Sequence, residues 1–188
     1  IMRLKNNKAA GPDGLIAEVY KIMIGFIASP IAKALNLLKL QKTFPEVWQT
    51  ALVAFIYKQK GNKAETQNYR PICLTNIGYK IWSGAITRRL MTIINLITDP
   101  NQFGYKQNCS CIDALQQVNR FMKKNQKGDV LLMDLTKAFD RIPRPHLWTS
   151  MYKLGIPLEL IQMLIEGHRI TKLQIKNGSD LGQPVTTN

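Results

Sequence analysis

Asp134 ends an apolar run, Val130-Leu131-Leu132-Met133, of the kind a strand buried on both faces requires. The run predicts a strand over 130–133 with Asp134 at its C-terminal mouth. A carboxylate there is costly to bury unless it is paired or coordinated, and the carboxyl ends of strands in α/β sheets are where ligands collect. Two readings stand side by side: a ligand-holding carboxylate, and an N-cap for the turn or helix that starts at Thr136. Phe139 follows five residues later, on the helix after the strand, where an aromatic side chain ordinarily packs into a core.

The rest of the chain must position these residues, and its composition bounds what they do. The 188 residues are 45% hydrophobic, enough for a real core in one large domain or two small ones. No apolar run approaches the roughly 18 residues that a membrane span needs, and Asn95 interrupts the best candidate, 91–97, so a soluble protein without a membrane partner is expected. The first residue is Ile, and no leader-like segment follows it. Both features suggest a piece of something longer. Twenty-six Lys and Arg against twelve Asp and Glu give a formal charge of +14, which favours a polyanionic partner, nucleic acid above all. Residues 1–90 carry fourteen basic and four acidic side chains, so the first half is the expected backbone-binding surface. Cys73, Cys109 and Cys111 are odd in number, and no second Cys pair or nearby His completes a zinc set. They are expected as ordinary packing or loop residues of an intracellular protein.

In chain order, Gly11-Pro12-Asp13-Gly14 is a turn, with Asp13 placed to cap a helix from Leu15. A second helix is predicted from Pro30 to Lys42, with Ile31, Ala34, Leu35 and Leu38 on one face. A short helical turn at 45–48 precedes the β-rich run 51–57, and Tyr69 to Leu74 is a second apolar segment. These two runs read as a hairpin-like pair with basic residues at the tip. The spacing of Ile77, Ile81, Ala85, Leu90, Ile94 and Ile97 predicts a long helix over 76–97, stopped by Asp99-Pro100-Asn101. Ser110 caps a helix striped by Ala114, Leu115, Val118 and Phe121. Two further helices, 145–154 and 157–168, are separated at Gly155. Lys172 to Gly178 alternates and turns like one arm of a hairpin. Intermixed helices and strands place the chain in the α/β or α+β class.

Taken together, Lys8-Ala9-Ala10-Gly11-Pro12-Asp13-Gly14, Asn68-Tyr69-Arg70-Pro71-Ile72-Cys73-Leu74-Thr75-Asn76, Tyr79-Lys80-Ile81, Gln102-Phe103-Gly104-Tyr105, Asp113-Ala114 and Asp134 to Asp140 resemble the reverse transcriptase of non-LTR retrotransposons, the long-interspersed-element type. The motifs occur in the family's order over nearly the whole chain. The resemblance implies an α+β fold: right-hand polymerase fingers over about 1–90 and the N-terminal part of the palm over 91–188, with remaining fingers elements possible in 91–127. Helices would pack on short antiparallel sheets. It implies an RNA-directed DNA polymerase in the parent, a nucleotidyltransferase whose partners are an RNA template, a DNA primer and dNTP, acting in the nucleus and cytoplasm of a eukaryotic host.

The resemblance also implies residue roles. Asp134 would be a catalytic ligand of two Mg²⁺ ions, with the carbonyl of Leu135 as a further ligand. Lys58 and Arg70 would reach the nucleotide phosphates from the fingers, Arg through its planar fork and Lys as a point charge. Lys137 and Ala138 would offer backbone amides to the triphosphate. Phe139 would lie under the sugar and exclude a 2′-hydroxyl by its volume. Gln102, Phe103, Gly104 and Tyr105 would lie near template and primer, where aromatic stacking on bases is physically sensible. Asp140 would support the turn through hydrogen bonds.

Departures from the family pattern matter as well. Ala10 stands where many relatives have Pro, and Asn108-Cys109-Ser110-Cys111 replaces a commoner basic, Ser/Thr-rich turn. The family completes its metal site with an Asp-Asp pair on a later hairpin, and this chain has no Asp-Asp dipeptide. The expected fold is therefore truncated before that hairpin, the Mg²⁺ site incomplete and the piece inactive alone, with self-association through an exposed partial palm possible. The alternative is a non-catalytic nucleic-acid-binding or dimerising module from a degenerate or domesticated element. A P-loop NTPase is excluded by the lack of a Gly-x-x-x-x-Gly-Lys-Ser/Thr loop.

Overall fold

The computed structural model of the chain describes residues 1–124, 128–136, 138–169 and 171–187, with the side chain of Asp140 not described. The chain forms α1 (Ala17–Ile22), α2 (Ile24–Gln41), β1 (Thr50–Tyr57), β2 (Tyr69–Leu74), α3 (Ile77–Ile97), α4 (Cys111–Lys124), α5 (Ala138–Arg141), α6 (Arg144–Lys153), α7 (Leu158–Gly167), β3 (Thr171–Asn177), β4 (Asp180–Leu181) and β5 (Val185–Thr187). It is an α+β protein. It divides into two compact units, the first made of 1–87 and 157–188 and the second of 88–156. Among the described residues no helix is long and apolar enough to cross a membrane.

In the first unit β1 is central. It pairs antiparallel with β2, from Leu52 opposite Leu74 to Tyr57 opposite Tyr69, which is the expected hairpin-like pair. On its other edge β1 pairs parallel with β3, Thr50 opposite Lys172 to Val53 opposite Ile175. This corrects the expectation of antiparallel sheets alone. A parallel partner requires a crossover connection rather than a tight turn, and here more than a hundred residues including helices separate the two strands. The far edge of β3 carries β5 and then β4, both antiparallel. Ala51, Leu52 and Val53 are the buried part of β1.

Two helix starts differ from expectation, each for a local reason. Gly14 has φ +69°, which takes the chain out of the helical region, so α1 begins at Ala17 and Asp13 instead accepts from the Leu15 amide at 3.2 Å in an Asx turn. Helix α2 starts six residues before Pro30 rather than at it. Pro30 there gives up the bond to the carbonyl of Phe26, a residue exposed to solvent, where water can replace the bond.

The core of the first unit is built from Ala17, the buried part of β1, Ile77, Trp82, Ile86, Leu160 and Ile161. An aromatic cluster lies beside it: Phe44 meets Trp48, Tyr79 and Trp82 edge-on, with ring centroids 4.9–6.1 Å apart. Gly78 lies so close to the Trp48 indole that an added Cβ would come within 2.5 Å of it. One buried polar side chain, Asn76 at 2% exposure, joins three segments. Its amide oxygen accepts from the Asp13 N–H at 3.3 Å, and its amide nitrogen donates to the Val47 carbonyl at 2.5 Å. Gly11 packs against the same backbone: a Cβ there would lie 2.6 Å from the Thr75 carbonyl carbon and 2.7 Å from the Asn76 nitrogen.

Removing the Asn76 amide takes away both of these bonds, each worth about 0.5–1.5 kcal/mol net. Asn76→Ala is therefore expected to lower unfolding free energy by about 2–4 kcal/mol once the lost packing is included. Urea denaturation with Asn95→Ala, an exposed asparagine on α3, as the comparison checks this, and equal stability of the two variants would contradict it.

Candidate polymerase site

The candidate residues fall in both units, and each unit is described by itself. In the first, Lys58 and Arg70 share the β1–β2 ribbon. The connection between the strands is closed by its own polar groups: Asn68 donates to the Asn62 carbonyl at 2.8 Å, Tyr69 Oη donates to the Lys63 carbonyl at 3.0 Å, and the Lys58 amide donates to the Asn68 carbonyl at 2.8 Å. The Lys63 ammonium stands 5.7 Å over the Tyr57 ring, which itself meets Tyr69. Lys58 Nζ donates to the Gln67 carbonyl at 2.7 Å, so its ammonium keeps two of its three protons for another acceptor. Arg70 is exposed on β2 opposite Ile56. Its planar fork reaches solvent from a paired strand.

In the second unit the predicted strand at 130–133 is not formed. Residues 128–135 have no regular secondary structure, and their side chains face solvent, with Leu132 at 89% exposure. The physical reason is the lack of a partner. A strand is stable only when its backbone groups are paired, and among the described residues every sheet pairing belongs to the first unit. Asp134 is exposed in this segment, with Leu135 beside it. Ala138 opens the short helix α5, and Phe139 follows. Lys137 and the Asp140 side chain lie outside what the structure describes.

Phe139 is not a core residue: its ring is 77% exposed. It does have a partner, since the Tyr105 ring meets it edge-on, with centroids 6.1 Å apart and planes at 90°. Tyr105 is itself 87% exposed and holds a left-handed backbone with φ +59°. The loop behind it is ordered by local bonds. The Asn101 amide donates to Asp99 Oδ1 at 2.7 Å, the Gln102 amide to the Asp99 carbonyl at 3.0 Å, and Gln102 Nε2 to the Gly104 carbonyl at 3.1 Å. Phe103 lines an open groove of about 510 Å³ with Asn101, Val118, Phe121 and Leu131.

Ser110 caps α4 as expected, and in a fuller way. Its hydroxyl and its amide both donate to Asp113 Oδ2 at 2.7 Å, while the Asp113 amide approaches Ser110 Oγ at 3.4 Å. This is a capping box with Asp as the returning acid. The Ser110 hydroxyl, then its amide, hold the Asp113 carboxyl below its ordinary range. The Ser-x-x-Asp spacing is the sequence signal from which this pairing could be found, beyond the motif to which Asp113 belongs. Asn76, the last residue of another motif, carries no sequence signal for its role as a buried bridge.

A divalent cation is the group that the resemblance implies at Asp134. Its carboxylate and the Leu135 carbonyl are oxygen donors of the right kind, but Mg²⁺ demands near-complete octahedral coordination and takes one or two carboxylates together with substrate phosphates. Among the described residues no three His, Cys, Asp or Glu side chains cluster to hold a metal. The described residues do not by themselves make a Mg²⁺ site.

Comparison with known proteins decides the family. The model for "Reverse transcriptase (RNA-dependent DNA polymerase)" matches residues 56–186, from the end of β1 to β5 and through Asp134 and Phe139. The chain belongs to the reverse transcriptase family. It is 28% identical over 155 residues, 80% of its length, to a retrovirus-related Pol polyprotein from type-1 retrotransposable element R1 of Bradysia coprophila. It is 25% identical over 170 residues, 87% of its length, to a probable RNA-directed DNA polymerase from transposon X-element of Drosophila melanogaster, and 26% over 163 residues, 84% of its length, to the RNA-directed DNA polymerase from mobile element jockey of the same species. These matches cover 15%, 18% and 18% of the relatives, so the chain spans less than a fifth of their length. The resemblance to non-LTR retrotransposon reverse transcriptases is borne out.

The capping box yields a pH-dependent expectation. A carboxyl whose folded value is lowered contributes stability at and above the ordinary carboxylate range, and that stability is lost as pH falls through the lowered folded value. Ser110→Ala should cost about 1 kcal/mol at neutral pH. The gap between wild type and Ser110→Ala should narrow on acidification below the ordinary Asp range, as followed by helical circular dichroism during urea unfolding. A gap that persisted unchanged in strong acid would contradict the assignment.

Proposed function

We propose that this chain is a segment of a retrotransposon RNA-directed DNA polymerase, with residues 1–90 as fingers, 91–188 as the N-terminal part of the palm and remaining fingers elements within 91–127. The observation that carries the reading is the family match across 56–186, which takes in Arg70, the 102–105 loop, Asp134 and Phe139 in a single alignment. The net charge of +14 and the basic first half supply attraction for a template-primer backbone.

In this reading Arg70 and Lys58 hold the nucleotide's phosphates by charge-assisted bonds. The Lys58 contact to Gln67 orients its ammonium, and the exposed Arg70 fork is free to swing toward a phosphate. Lys137 and Ala138 offer amides to the same triphosphate. Gln102 to Tyr105 lie against template and primer. Phe139 presents its ring to the sugar, and a 2′-hydroxyl is excluded by volume. Asp140 supports the turn. Asp134, with the Leu135 carbonyl, supplies one part of a Mg²⁺ site whose remaining carboxylates come from an Asp-Asp hairpin outside this chain. Metal there, when bound, supplies charge neutralisation for the transferring phosphoryl group. The same hairpin would give 130–133 the strand partner that it lacks here. Left uncovered, the exposed apolar run also gives the chain a route to self-association.

The chain alone is expected to bind an oligo(dT)-primed poly(rA) duplex, with affinity that falls steeply as salt rises, and to incorporate no dTTP in the presence of Mg²⁺. Robust extension by the chain alone, abolished by Asp134→Asn, would contradict the claim that its metal site is completed elsewhere. Salt-independent binding would contradict phosphate recognition.

A further inference from the structure

Two exposed aromatic rings in the second unit touch each other although nothing in a hydrophobic core requires it. Phe139 and Tyr105 lie 34 residues apart in sequence, on the short helix α5 and on the 102–105 loop, and they meet edge-to-face with centroids 6.1 Å apart. Their exposures of 77% and 87% mean that neither is held by burial. A lone phenylalanine ring on a helix of four residues has rotamer freedom, and a ring that moves is a poor steric boundary. Here one edge of that freedom is taken up by Tyr105.

The loop is built to keep Tyr105 in place. Its left-handed backbone, φ +59°, is uncommon for an aromatic residue and turns the chain sharply at that position. The turn before it is locked by the Asp99 contacts to Asn101 and Gln102 and by the side-chain bond from Gln102 to the Gly104 carbonyl. On the far side, Asn101 Oδ1 accepts from Gln117 Nε2 at 2.5 Å, which pins the turn to helix α4. The path from α4 through Asn101, Gln102 and Tyr105 ends on the residue assigned to sugar exclusion.

We infer that Tyr105 is a positioning residue for nucleotide-sugar selection: it braces the Phe139 ring edge-on, so that discrimination between dNTP and rNTP depends on both rings. The inference rests on the reading of Phe139 as the residue that meets the sugar. Tyr105 does not touch the sugar in this scheme; its effect passes through Phe139. The contribution of an edge-to-face pair corresponds to about a fivefold change in a ratio of rates.

The test uses the full-length polymerase that contains this segment, extending a primer on an RNA template, with the dNTP-to-rNTP ratio of kcat/KM as the readout. Tyr105→Ala should lower that ratio about fivefold through a lower KM for rNTP, Tyr105→Phe should restore it because the edge contact survives, and Phe139→Val should lower it further. In the Phe139→Val background, Tyr105→Ala should have no additional effect. If Phe139→Val relaxes selection and Tyr105→Ala leaves the ratio at the wild-type value, the bracing role is overturned while the sugar-exclusion reading stands. If neither substitution changes the ratio, the reading of Phe139 itself fails. If Tyr105→Ala is inactive, Tyr105→Leu and Tyr105→Phe carry the comparison, and equal ratios for those two overturn the inference.

Discussion

The first unit depends on one buried amide. Asn76 sits between the end of β2 and the start of α3, and its side chain reaches both the 11–14 turn and the 45–48 turn. A buried amide group is costly unless its donor and acceptor are both used, and here each has a named partner. The contact fixes more than two hydrogen bonds. Gly11 lies against Thr75 and Asn76 with no room for a Cβ, so the N-terminal turn can close only on this backbone. The 45–48 turn, held from the other side, delivers Trp48 onto Gly78 and into the aromatic cluster with Phe44. From there the chain enters β1. The strand pair that carries Lys58 and Arg70 therefore inherits its placement from a residue that touches neither of them.

The two units differ in what water does to them. Among the described residues the buried apolar side chains lie in the first unit, with Ile156 the exception. The second unit carries its most apolar run, 130–133, in the open, together with Leu115 and Phe139. Apolar side chains exposed in such number are the kind of surface that marks an interaction face. A run of apolar residues predicts burial, but burial as a strand also requires a ladder partner, and the run itself supplies none. That is why the strand expectation at 130–133 failed while Thr50–Tyr57 succeeded: the latter finds β2 on one edge and β3 on the other.

Local signals were legible where a residue acts on its neighbours. Helical spacing placed α3 within a residue of its bounds, the alternation after Thr171 marked β3, and Ser110 announced the start of α4. Non-local facts were not legible. Nothing in Ala51 to Tyr57 says that a strand more than a hundred residues later will pair parallel with it, and no periodicity marks Asn76 as buried. The extended reach of α2 back to Ile24 was hidden because Pro30 looked like a start. Of the site, the order of motifs identified the family, whereas the contact of Tyr105 with Phe139 joins two motifs that are silent about each other in sequence. Lys58 shows the same limit: its charge was evident, its bond to the Gln67 carbonyl was not.

The proposed function requires Asp134 to be a reacting-site carboxylate rather than a helix cap or a solvated surface charge. The direct measurement is single-turnover primer extension by the full-length polymerase carrying Asp134→Asn, with template-primer affinity measured on the same preparation. Extension should fall by at least about a thousandfold, the scale of removing a key electrostatic group from a reaction centre, while affinity for the duplex changes by no more than about twofold. Extension at or near the wild-type rate with the folded variant would contradict it.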